Sequence, residues 1–76
     1  MGDLPDYQNR AKNILKAELK RRGISYRTLA ENLGELGIQE NERNLANKIS
    51  RGGFSAAFFL ECLAAIGAKS VRLEED

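Results

Sequence analysis

Residues 24–34 read Ile24-Ser25-Tyr26-Arg27-Thr28-Leu29-Ala30-Glu31-Asn32-Leu33-Gly34. Ser25 suits a helix N-cap, because its hydroxyl can accept a backbone N–H left unpaired in the first turn. Ile24 before it and Leu29 at the fourth helical position fit a hydrophobic staple. Leu29, Ala30 and Leu33 share one side of the helix, and Leu36 is expected to extend that stripe. Thr28 stands where a full capping box has Glu or Gln. Gly34 and Gly37 surround the helix end, which places the stop between Leu33 and Leu36.

On the C-terminal side, Ile38 is expected to plug the core, and Asn41 caps a third helix from Glu42 to Ser50. Leu45, Ala46 and Ile49 form its buried side; Arg43, Asn44, Asn47, Lys48 and Arg51 lie on its outer side. Asn41, Asn44 and Asn47 are poor helix formers, a cost that either side-chain recognition or local capping explains. Gly52-Gly53 ends this helix. Phe54, Ser55 and Phe59 then supply staple residue, cap and staple partner for a fourth helix, Ala56 to about Ile66. It is apolar nearly all round, with Glu61 its only charge, and such helices are usually central. Gly67 closes it. In the tail, Val71 and Leu73 would share one face of an extended segment. Either the tail lies on its own core or it pairs with its counterpart in a second copy.

On the N-terminal side, Gly23 is a natural stop for a first helix. Tyr7, Ala11, Leu15 and Leu19 recur every four residues, and Ile14 widens the stripe. Asp6 can cap its start, residues 1–6 read as a flexible arm, and Lys20-Arg21-Arg22 suits the negative pole of the helix dipole. The same basic run could instead touch an acidic partner.

These elements make an all-α chain of four helices with a short extended tail, one domain over residues 7–74 of 76. A hydrophobic content of 42% is enough for a core. A domain of this size still leaves much surface exposed, so a partner or second copy would add stability. There is one cysteine and no histidine. That excludes a disulfide scaffold and a zinc finger, and it removes the usual general base. Cys62, inside the apolar helix, reads as a small buried hydrophobe. No nucleophile–base pair or paired acids stand out, and Gly52-Gly53 lacks the Lys-Ser/Thr of a phosphate loop. The chain is therefore expected not to be an enzyme and to need no metal or cofactor. It has no apolar run of membrane length and no signal-peptide pattern at its start. Asp6 stands where a myristoylation context has Ser or Thr. The expectation is a soluble, cytoplasmic protein with no membrane partner.

Net charge is +1, but it is sorted along the chain. Residues 10–22 carry six bases against Glu18 alone. Residues 28–42 carry Glu31, Glu35, Glu40 and Glu42 without a base, and residues 43–51 carry Arg43, Lys48 and Arg51 without an acid. Such sorting places positive charge on selected surfaces.

From Leu15 to Ile66 the chain resembles the four-helix core of the lambda-repressor-like helix-turn-helix domains. The first helix ending in a basic stretch and Gly23 is similar, as is the second helix from its Ser25 cap through Leu29-Ala30. Leu45, Ile49 and Gly52 match the apolar spacing and terminal Gly of the recognition helix, and Ser55 to Gly67 the fourth helix. Residues 10–74 also resemble a group of small bacterial domains of unknown function. The run Leu45-Ala46-Asn47-Lys48-Ile49-Ser50-Arg51-Gly52, then Phe54-Ser55-Ala56 and the tail around Arg72-Leu73, carries that likeness. One departure stands out: the link Glu35 to Asn41 is longer than the family's tight turn. The extra residues either lengthen the second helix or open its angle to the third.

The resemblance implies a small bacterial transcriptional regulator that binds double-stranded DNA, with the third helix in the major groove. Asn41, Arg43, Asn44 and Asn47 would then face bases, since Arg forks onto guanine and Asn onto adenine. Ser25, Arg27 and Thr28 at a helix N-terminus, with Lys48 and Arg51, would hold phosphates. Dimers extend the reading of such domains, and Phe58, Val71 and Leu73 are the expected homodimer contacts. The alternative is a protein-interaction module that uses the same scaffold without reading bases. The low net charge, the acidic stretch and the apolar fourth helix favour it.

Overall fold

The computed structural model describes residues 6–73. Positions 1–5 of the expected arm and position 74, expected to end the domain, lie outside them. Four helices follow one another: α1 (Tyr7–Arg22), α2 (Tyr26–Glu35), α3 (Glu42–Arg51) and α4 (Ala56–Ala65). There is no strand among the described residues.

Each helix starts where a side chain accepts an N–H of its first turn. Asp6, Ser25, Asn41 and Ser55 accept from Asn9, Thr28, Asn44 and Phe58, at 2.8–3.1 Å. The end of α1 is a Schellman turn. Gly23, at φ 68°, donates to Lys20, and Ile24 donates back to Leu19 at 2.9 Å. The same pattern returns after α2, from Ile38 to Leu33, and after α4, from Ala68 to Leu63. In all three the residue after the turn, Ile24, Ile38 or Ala68, packs back on the core. The expected plug at Ile38 is thus part of a helix stop.

The core is built from Leu15 and Leu19 of α1, Leu29 and Leu33 of α2, Leu45 and Ile49 of α3, and Phe58, Cys62 and Leu63 of α4. In space α1 packs on α3, α3 on α2 and α2 on α4. Gly52 lets α1 approach the end of α3. At φ +76° it is already in the left-handed region, and a Cβ there would sit 2.6 Å from the Gln8 carbonyl oxygen.

Two expectations about burial do not hold. Leu36 is 53% exposed rather than part of the α2 stripe. It is the residue at which α2 unwinds, so it leaves the helical phase that would turn it inward. Nor is α4 a central helix, since it ends the packing order and leaves Ala56, Ala57, Leu60 and Ala64 exposed.

The tail lies on its own domain. Val71 packs against the core. The backbone N–H of Arg72 donates to Glu18, and the carbonyl of Leu73 accepts from Arg10 at 3.0 Å. Glu18 is 2% exposed and also holds Arg21 at 2.7 Å and Arg22 at 3.3 Å. The Arg21 hydrogen bond, followed by the Arg72 N–H and the guanidinium charges, keeps its carboxyl below the usual range despite burial. Part of the basic run at the end of α1 is therefore an internal clamp.

Candidate nucleic-acid interface

Leu45 and Ile49 fix the rotation of α3, because both are fully buried. The opposite side must face outward. Arg43, Asn47 and Arg51, four residues apart, form a line down the middle of that side. The line is about 12 Å long at 1.5 Å per residue. Asn44, Lys48 and Ser50 flank it, and all six are exposed. Arg43, Asn44 and Asn47 spend no side-chain donor or acceptor within the described chain. Arg51 Nε lies 3.5 Å from the Asn47 carbonyl, a marginal contact that leaves its guanidinium fork available. Glu42, in the first turn, is the only acid on α3.

At the head of this face an open cleft of about 900 Å³ separates the starts of α2 and α3, lined by Tyr26, Asn41, Glu42, Arg43, Asn44 and Ala46. Tyr26 is half-buried, and burial raises the pKa of its phenol, so the hydroxyl remains a donor at neutral pH. At the other end, a cleft of about 600 Å³ brings Gln8 of α1 beside Lys48 and Arg51. Sequence reasoning did not connect Gln8 to this region; the Gly52-Gly53 pair, where another backbone comes close, was the available signal.

The structure divides the expected site residues. Arg43, Asn44, Asn47 and Arg51 stand together and available. Asn41 does not belong with them as an adenine fork, because its Oδ1 caps α3 through the Asn44 N–H at 2.8 Å. The Ser25 hydroxyl accepts from Thr28 N–H and donates to Thr28 Oγ1 at 3.2 Å, which leaves the Thr28 hydroxyl proton to be donated elsewhere. Arg27 is 3.9 Å from Glu31, both highly exposed, a pair worth little in water. Lys48 is ion-paired with Glu40 and stands 5.0 Å from the centre of the Phe58 ring. Its charge is thus largely offset, and a phosphate would have to compete with Glu40.

The expected dimer contacts also separate. Phe58 is 7% exposed and its ring lies 5.5 Å from that of Phe54, so it belongs to its own core and offers no surface to a second copy. Val71 is half-buried, whereas Leu73 is 60% exposed. Cys62 is fully buried. Burial and then the Glu61 and Glu40 charges push its thiol pKa up to about 12, which is the opposite of activation. Among the described residues no group of three or more His, Cys, Asp or Glu could hold a metal ion, and no helix is long and apolar enough to cross a membrane.

These features define an all-helical domain with an outward row of arginine and asparagine on its third helix. The chain belongs to the family described as a domain of unknown function (DUF6471), which matches residues 7–71, from the start of α1 to the tail residue Val71. No curated protein and no solved structure matches the chain.

Proposed function

We propose that the protein binds double-stranded DNA with the outer face of α3 in the major groove, as a small transcription regulator of the lambda-repressor-like helix-turn-helix kind. The Arg43–Asn47–Arg51 line is the observation that carries this reading. Two guanidinium forks and an amide, uncommitted within the fold and projecting from a capped helix, are the groups that read base edges. Arg27 and Thr28 at the start of α2 are suited to phosphate, as is Arg51 at the end of the line.

Fluorescence anisotropy with a labelled mixed-sequence duplex tests this. Binding is expected at low salt and weakens as salt rises. Arg43→Ala and Asn47→Ala should each cost about 1–3 kcal/mol on a preferred site. Absence of binding at low salt would sink the proposal, because even the sequence-independent term should appear there.

The second reading, a protein-interaction module, draws on the neutralisation of Lys48 by Glu40 and on the exposed apolar face of α4. It predicts that the arginine line can be removed without loss of partner binding.

A further inference from the structure

The outer face of α4 carries both a projection and a recess. Leu60 is 62% exposed, and Ala56 and Ala64 beside it are small. Adjacent to that strip, α1, α4 and the tail enclose a groove of about 280 Å³ lined by Tyr7, Arg10, Ala11, Ile14, Phe59 and Leu73. Apart from the Arg10 head group and the Tyr7 hydroxyl its walls are apolar, and Tyr7 and Leu73 at its rim are 65% and 60% exposed. It has room for a single aliphatic side chain. Glu18 and Arg10 hold the tail that forms one wall, so the groove is a built part of the fold.

We infer that this face is a homodimer interface in which Leu60 of each copy enters the Tyr7–Phe59–Leu73 groove of the other. The order of features around α4 carries the inference. At about 100° per residue, Phe59 and the groove lie on one side of Ala56, and Leu60 lies on the other. A two-fold axis running along α4 through Ala56 exchanges the two sides, so each projection meets a recess, as an isologous contact requires. The same operation sets the flanks against each other. Arg10 borders the groove, and Glu61 lies beyond Leu60 on the far flank, so Arg10 of one copy faces Glu61 of the other. An axis perpendicular to α4 would instead set groove against groove and leave Leu60 exposed. The contact therefore requires the two α4 helices to run in the same direction. The groove alone is too small for a stable dimer, which covers about 800 Å² per partner, so the Ala56–Leu60–Ala64 strip belongs to the contact. The inference does not depend on DNA binding.

Sedimentation equilibrium of the chain, from low to high micromolar, should show a dimer. Leu60→Glu should raise its dissociation constant about tenfold or more, with an unchanged helical circular dichroism spectrum because Leu60 lies outside the core. Arg10→Glu and Glu61→Arg should each weaken the dimer, and combining them should restore part of the loss. Orientation is read by crosslinking, in which the buried Cys62 stays silent. Ala56→Cys, on the axis, should form a disulfide between copies under mild oxidation, and Ala57→Cys, on the outer flank, should not. A monomer throughout the concentration range overturns the inference. So does a dimer indifferent to Leu60→Glu, or one that crosslinks better through position 57 than through 56.

Discussion

Glu18 is the residue whose role the chain order hides best. In sequence it is a lone acid among bases, and the helical wheel alone does not set it apart from a solvated side chain. Folding places it under the tail, where Arg21, Arg22 and the Arg72 N–H satisfy it. Glu18→Gln keeps the shape but loses the charge-assisted bonds, and should destabilise the domain by about 1.5–3 kcal/mol. The folded-state pKa lies below the ordinary 4.5. The stabilisation is therefore fully present above that value and is lost as pH falls through the folded pKa. Chemical denaturation followed from pH 7 into acid should show the difference between wild type and Glu18→Gln shrinking below about 4.5. A difference that stayed constant would remove the carboxylate from this role. Hydrogen exchange at the Arg72 amide should quicken in the variant. Asn41 teaches the converse: its place at the head of α3 was legible, but its commitment to capping came from the Oδ1 hydrogen bond.

At the scale of elements the caps and stops are the most legible features. Asp6, Ser25, Asn41 and Ser55 precede their helices in sequence and cap them in the structure. Capping is local, so short-range pattern is enough to find it. Ser55→Ala should lower thermal stability by about 1 kcal/mol, since it leaves the Phe58 N–H without its acceptor; a calorimetric scan that shows no loss would mean that water replaces the cap at no cost. Periodicity fails where a helix has no contrast. In α4 nearly every residue is apolar, so the sequence offers no phase to tell the buried side from the exposed one. The expectation of a central helix followed from that uniformity, whereas the packing order places α4 at the end. Leu36 fails for a related reason, because it continues the stripe in sequence after the backbone has left the helix.

For the whole molecule, a net charge of +1 means that attraction to DNA would be local rather than global. Few phosphates would be neutralised, and each contributes about −0.9 to the slope of log affinity against log salt. Anisotropy titrations should give a shallow slope, of about −2 to −5, and Arg51→Ala should reduce its size by about 1. An unchanged slope in that variant would place Arg51 away from the phosphates. The acidic stretch ahead of α3 does not split the arginine line: Glu40 is turned onto Lys48, and Glu31 lies beside Arg27 on α2.

The sequence by itself determined the all-helical class, the helix starts and stops, and most of the buried stripe, because caps, Schellman turns and amphipathic spacing all act within a few residues. It also marked the outer side of α3 as basic and amide-rich. Only the tertiary structure decided which of those groups remain available, that Lys48 is offset by Glu40, that the tail is clamped to α1, and that α4 turns Leu60 outward. Each of these depends on residues distant in the chain being brought within hydrogen-bonding or packing distance, and local pattern carries no record of such distances.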